Sequence, residues 1–304
     1  MRVTISPSDF LKPPLAVVCH DAGAANLIIG WLANLTGLTL RAHMQGPALK
    51  LWQTAFPKST LFSLQEAIQG SVQLLSGTGW ASDLEYEAMT VAQKIGLPTV
   101  AAVDHWVNYN QRFVRKGLEV LPNEIWISDD EAFAEAQKCF PGVIIRQFPN
   151  MYLQAQVAEV LAYDKNRPPS TGWRVLYALE PIRQHWSGGY SMLGEFQSLD
   201  YFLLKLNALG LDTRAQIRLR PHPSDPPGKY ESWVQQKRSQ YDISLALDEP
   251  IAKAVSWADW VVGCESFVLI IAINAGKKTV STLPPWGHIC RLPQKNLIHL
   301  SQLE

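Results

Sequence analysis

Cysteine is scarce and carries no pattern. Four residues, Cys19, Cys139, Cys264 and Cys290, are spread over 304 positions with no CxxC or metal-ligand spacing. That argues against a disulfide framework and against a metal site, and none is expected. Cys19 and Cys264 fall within apolar runs, where buried free thiols are common. A reduced, cytoplasmic setting is expected. Neither sign of charge is in excess, since 27 Lys and Arg balance 27 Asp and Glu. Nucleic acid is therefore not expected as a partner, and any anion site has to be local. No apolar run reaches the ~18 residues of a membrane helix. The opening MRVTISPSDFLKPP also lacks the apolar core of a signal peptide. The furthest membrane link expected is peripheral. Repeats, low-complexity tracts, a P-loop, a GxSxG elbow and an HExxH pair are all missing.

What is present is ordinary core material, with 47% hydrophobic and 18% charged residues. Eleven tryptophans are many for this length, and most are expected in core or cleft wall. Short apolar runs alternate with helical patterns from end to end. LAVVC (15–19), TLRAHM (39–44), VQLLSGTG (72–79), PTVAAVDHW (98–106), EIWISDD (124–130) and VIIRQF (143–148) read as strands. WASDLEYEAMTVAQKIG (80–96) reads as an amphipathic helix, with Ser82 and Glu85 spaced as a capping box. After a helical 151–164, KNRPPSTG (165–172) is the best domain boundary. The rhythm then restarts with RVLYALEP (174–181), AQIRLRPHP, ISLAL, DWVVGCES (259–266) and KTVSTLP. The pattern predicts an α/β protein of two Rossmann-like domains, 1–165 and 172–304, each a mainly parallel sheet covered by helices. Ligands in such sheets bind beyond the carboxyl ends of the strands. A cleft between the two sets of strand ends is therefore expected.

Polar residues gather at those ends. In RLRPHPSD (218–225), Pro221 and Pro223 hold His222 in an extended frame beside Arg220. A cation and an imidazole so placed suit a phosphate, whereas a lone histidine is more often structural. CHDAGAANLI offers His20 or Asp21 as a general base, with Asp21 alternatively a helix cap. Gly23 allows close backbone approach there, and Asn26 follows one turn on. GCESF places Glu265 and Ser266 where a helix starts, which suits a phosphate or a ribose hydroxyl pair, or only a cap. That loop is expected to neighbour the His222 loop. SGTG (76–79) with Thr78 is a weaker cradle. VDHWVNYNQRF packs Asp104, His105, Asn108 and Arg112 together, suiting sugar hydroxyls or an inter-domain salt bridge. LEPIRQHWSGGY (179–190) contributes Glu180 and Arg183 and a Ser-Gly-Gly that could close over a nucleotide.

The HP dipeptide His222-Pro223 after one strand, and Glu265-Ser266 after a later one, resemble the motifs of GT-B glycosyltransferases. The likeness is greatest to bacterial enzymes that use CMP-activated sugars, the sialyl-, polysialyl- and Kdo transferases. It implies that His222 contacts the CMP phosphate, that Ser266 assists, and that Asp21 is the base. The sialyltransferase acidic motif has the form D/E-D/E-G, whereas this chain has Asp21-Ala22-Gly23. It implies a nucleotide-sugar donor, a glycan acceptor and no other cofactor, and the lack of a DxD pair agrees with metal-free transfer. ADWVVGCESFVLIIAINAGKKTVSTLPPWG also resembles the nucleotide half of UDP-GlcNAc 2-epimerase-like and glycerophosphate-transferring proteins. A hydrolysing epimerase, a polyol-phosphate transferase and a catalytically silent binding domain are the alternatives.

Overall fold

A computed structural model of the chain describes residues 6–79, 82–186, 192–246 and 249–303. The chain folds into two compact units, Met1–Tyr152 and Leu153–Glu304. The first holds β1 (Leu15–Cys19), β2 (Leu40–Met44), β3 (Gln73–Ser76), β4 (Thr99–Ala102), the short hairpin β5 (Val114–Arg115) and β6 (Leu118–Glu119), β7 (Glu124–Ile127) and β8 (Ile144–Gln147). Its helices are α1 (Ala22–Leu32), α2 (Gly46–Ala55), α3 (Leu64–Gln69), α4 (Leu84–Lys94), α5 (Tyr109–Arg112) and α6 (Asp130–Cys139). Six strands form one parallel sheet in the order β2-β1-β3-β4-β7-β8.

Both faces of that sheet are covered, which is why β1 is apolar without alternation and buried at every residue. Leu15, Val17 and Cys19 pack with Leu27 and Ile28 of α1. Ala16 and Val18 pack with Leu84, Ala88 and Met89 of α4. α1 and α4 therefore lie on opposite faces, and the strand order reverses between β1 and β3.

Helix α7 (Met151–Asp164) contains the division between the units, so the boundary precedes the proline-rich stretch 165–172. That stretch is fastened to the second unit. Arg174 donates to the carbonyls of Pro168 and Pro169 at 2.9 and 3.3 Å. Arg167 pairs with Asp259 at 2.6 Å, and Lys277 with Asp164 at 2.8 Å.

The second unit continues with β9 (Arg174–Ala178), α8 (Gly194–Leu204), β10 (Gln216–Arg220), α9 (Glu231–Lys237) and β11 (Asp242–Leu245). It ends with α10 (Ile251–Trp257), β12 (Trp260–Gly263), α11 (Phe267–Asn274), β13 (Lys278–Ser281) and β14 (Ile298–His299). Its parallel sheet has the order β11-β10-β9-β12-β13-β14. Renumbered within the unit this is 3-2-1-4-5-6, the dinucleotide-binding order, with its reversal between β9 and β12. One expectation is corrected here. The loops carrying His222 and Glu265 are not neighbours, because β9 lies between β10 and β12 and the Glu180 loop separates them.

Among the described residues no helix is long and apolar enough to cross a membrane. The first unit rests on an aromatic block, with Trp126 fully buried between Trp31 and Phe148 at ring distances of 5.7 and 4.6 Å. Trp126→Ala should cost about 3–5 kcal/mol of stability in that unit. Urea unfolding followed by circular dichroism checks this, with Trp126→Phe expected to lose clearly less.

Candidate functional site

At the reversal in the first unit, β1 runs into His20 and Asp21, and β3 into Gly77, Thr78 and Gly79. Asp21 is the N-cap of α1, its Oδ1 accepting the backbone N–H of Gly23 at 3.1 Å and of Ala24 at 3.4 Å. The capping role, one of its two readings, is thus real. It does not exhaust the residue, because its carboxyl is half-buried among other acids. Burial, then Asp104, then Glu85 push Asp21 up to about 7. Gly23 leaves room for Asp104, since a Cβ there would collide with Asp104 Oδ2.

Arg112 is the buried cation of this cluster. Its Nη1 donates to Asp104 at 3.0 Å and to the Thr78 hydroxyl at 3.0 Å, and its Nε to the Val107 carbonyl at 3.1 Å. Thr78 in turn donates to the Ala102 carbonyl at 3.0 Å. The structure therefore brings Asp21, Gly23, Thr78, Asp104 and Arg112 together. Asp104 and Arg112 form their salt bridge within the first unit. His20 directs its ring to Gly46, where a Cβ would lie 2.5 Å from Nε2. His105 and Asn108 are held locally. His105 Nδ1 accepts the Trp106 N–H at 3.0 Å, and Asn108 sits in the left-handed region at φ 60°. Asn26 is half-buried one turn into α1.

Glu85 is the residue whose sequence context points elsewhere. The capping box expected with Ser82 does not form. Ser82 Oγ accepts the Leu84 N–H at 3.0 Å, and Glu85 turns inward to accept the His20 N–H at 2.7 Å. Burial raises its pKa, against the hydrogen bond from His20. A signal was available, for positions 85, 88, 89 and 92 form one buried stripe of α4 and Glu85 is its only charged member.

In the second unit the Glu180 loop occupies the reversal. The Glu265 backbone N–H lies 3.2 and 3.0 Å from the two Glu180 carboxyl oxygens. Burial, helped by the Glu265 charge, pushes Glu180 up to about 8. Glu265 is the opposite case. Burial would raise it, but hydrogen bonds from His288 and Arg291 outweigh that and bring it down to about 2. His288 Nε2 donates to Glu265 Oε1 at 2.8 Å, Arg291 Nε to the same oxygen at 3.0 Å, and the Arg291 backbone N–H to Oε2 at 3.0 Å. Arg291 Nη2 donates there as well. Neither His288 nor Arg291 was visible as a site residue, since both lie in irregular chain after β13. Ser266 caps α11, its Oγ accepting the Val268 N–H at 3.3 Å.

The frame around His222 is built from beneath. Its backbone N–H donates to Asp225 at 3.1 Å, and Asp225 also accepts from Lys229 at 2.7 Å and the Tyr230 hydroxyl at 3.0 Å. Lys229 meets the buried Glu195 at 2.6 Å as well. His222 Nδ1 accepts the Ser224 N–H at 3.2 Å and lies 2.8 Å from its hydroxyl. Nδ1 is therefore unprotonated, and the ring proton belongs on Nε2. Burial lowers the His222 pKa and keeps the ring neutral. Arg220 donates to the Glu249 carbonyl at 2.7 Å, and Arg183 to the Ser224 carbonyl at 3.5 Å. Arg220, His222, Pro223 and Lys229 line a cavity of about 450 Å³. The Ser-Gly-Gly of the Glu180 loop (187–189) lies outside the described residues.

A larger cavity, about 1010 Å³, opens at the opposite, amino ends of β9 and β10. Its charges are already paired: Arg167 with Asp259, Arg214 with Asp212 and Lys277 with Asp164. It is the anchorage of the 165–172 stretch.

The fold is GT-B-like. The chain is similar to UDP-GlcNAc 2-epimerase from Methanocaldococcus jannaschii, at a TM-score of 0.57 and 8% identity, covering 88% of this chain and 83% of that one. The same enzyme in complex with UDP-GlcNAc and UDP gives 0.60 at 9% identity, covering 94% and 88%. MurG from Acinetobacter baumannii gives 0.53 at 10% identity, covering 95% and 87%. No family model matches the chain, and no curated protein matches it in sequence.

The carboxyl at Asp21 makes the fold pH-sensitive. Unfolded it ionises near 3.8 and folded near 7. Its favourable contribution is full below 3.8 and is lost as pH rises through 7. Asp21→Asn keeps the cap, because asparagine caps as well as aspartate. At pH 8 its melting temperature should exceed the wild type's by roughly 2–4 °C for each ~1 kcal/mol of relieved repulsion. At pH 3.5 the two should coincide, and a thermal melt series across pH checks both ends.

Proposed function

We propose that the chain is a nucleotide-sugar-dependent glycosyltransferase, inverting and metal-independent, acting in cell-surface polysaccharide synthesis. Its donor is a CMP-linked ulosonate of the sialic acid or Kdo type, and its acceptor a glycan. The observation that carries this reading is the His222 frame. A neutral imidazole, fixed through Nδ1, lines a cavity beyond the carboxyl end of β10. Arg220 and Arg183 flank it. A single donor beside two cations suits one phosphate, the link in a CMP-sugar.

In this reading the second unit holds the donor. His222 takes up charge on the leaving phosphate. Asp21 in the first unit takes the proton of the acceptor hydroxyl as that oxygen bonds to the anomeric carbon. The bond from that carbon to the phosphate breaks, and its electron pair leaves on the phosphate. A carboxyl near 7 is well matched to such a base at neutral pH. The likeness to UDP-GlcNAc 2-epimerase, at TM-scores of 0.57 and 0.60, favours a second reading. In it the same fold acts on a UDP-sugar.

A thermal-shift panel with CMP, CDP, UDP, GDP and dTDP, on wild type and His222→Ala, tests the reading. A ligand at a hundred times its Kd stabilises the folded state by about 2.7 kcal/mol. A rise with CMP that the variant loses is the expected outcome. A rise with UDP alone favours the epimerase-like reading, and no rise with any nucleotide rejects both.

A further inference from the structure

The reversal between β1 and β3 contains a group that the transfer step above leaves unused. Glu85 is only 1% exposed. Its Oε1 accepts the His20 N–H at 2.7 Å, and its Oε2 is buried without a hydrogen-bond partner. The backbone N–H groups of Glu85 and Asp21 also favour the charged form of this carboxyl, but burial outweighs them and raises its pKa. The cost of that burial falls if the carboxyl carries a proton.

A second acid stands beside it. A Cβ on Gly79 would collide with Asp21 Oδ2 and lie 3.3 Å from Glu85 Oε1. Both carboxyls thus press on the same backbone position, and only a glycine fits there. The other groups facing Asp21 do not relieve the pair. Asp104, after β4, adds a third acid behind Gly23. Cys19, on β1, donates through Sγ to the Asp21 carbonyl at 3.5 Å and is held as a thiol by burial. His20 gives Glu85 only its backbone N–H. Two cations face the pair: Arg112, on α5, is engaged by Asp104 and Thr78, and Arg115, on β5, which favours the charged form of Glu85, is engaged by Asp83 at 2.8 Å and by the Gly79 carbonyl at 3.0 Å. Two acids so close, with both arginines engaged elsewhere, resist ionising together.

We propose that Asp21 and Glu85 form a carboxyl pair sharing one proton across Gly79, with Asp21 meeting the acceptor and Glu85 as its positioning residue. This rests on the reading of Asp21 as the acceptor base. Before transfer the pair carries one proton and one negative charge. Asp21 then takes the acceptor hydroxyl proton, and the pair becomes neutral. Glu85 stays on the His20 N–H throughout.

Carboxyl carbon NMR of the wild-type protein tests the pair directly, with Asp21→Asn and Glu85→Gln assigning the two resonances. Both should follow the same two titration steps. In Glu85→Gln the Asp21 midpoint should fall by about one pH unit as the repulsion is removed. Independent single-step titrations in the wild type overturn the pair, and that measurement stands even if the variant fails to fold. Turnover is read separately. The acidic limb of kcat/KM should move with the Asp21 midpoint. A midpoint that moves while the limb stays put rejects Asp21 as the base and leaves the shared proton standing.

Discussion

Each sheet has one place where successive crossovers part to opposite faces, and that parting governs the rest of the molecule. α1 and α4 cover opposite faces of the first sheet, so the strand ends of β1 and β3 are left uncovered between two helix starts. Backbone there cannot continue its ladder and must find other partners. In the first unit it finds carboxylates, as Asp21 takes the Gly23 N–H and Glu85 the His20 N–H. In the second, between β9 and β12, Glu180 takes the Glu265 N–H. Acids are thus drawn into both crevices by unsatisfied N–H groups, and burial then raises the pKa of each.

The two crevices treat their acids differently. In the first, several carboxyls face two arginines that are engaged elsewhere, Arg112 and Arg115, and Asp21 rises to about 7. In the second, neighbouring glutamates are driven apart, Glu180 up to about 8 and Glu265 down to about 2. The difference is set by His288 and Arg291, which charge-stabilise one glutamate and not the other. Titratable pairs whose environments separate their pKa values are the usual mark of assigned acid and base roles. In the proposed reading the acidic crevice meets the hydroxyl acceptor. In the same reading the imidazole frame of the other unit, with Arg183 and Arg220 beside it, takes the phosphate.

Much of this is legible in the residues. LAVVC, and RVLYA after its arginine, are apolar without alternation because both faces of a parallel strand are buried, and that alone implies two covered sheets. The proline frame of His222 gives its extended loop. Strand order is not legible, since periodicity says nothing of which strands pair. That is why the His222 and Glu265 loops are expected side by side although β9 separates them. Glu85 is mistaken for a capping partner because three-residue spacing from a serine is a capping signal wherever it occurs. A capping box does form at Ser63 and Glu66, ahead of α3, in a segment without strong periodicity. His288 and Arg291 reach Glu265 from irregular chain, where no pattern announces a long-range contact.

The central claim is that nucleotide sits at the carboxyl ends of β9, β10 and β12. Hydrogen exchange followed by mass spectrometry, with and without saturating CMP, tests it most directly. The account predicts protection confined to segments 179–182, 222–225 and 264–268, with the anchorage around 164–172 unchanged. Protection centred on 164–172 and 212–216, or in the first unit alone, would contradict it.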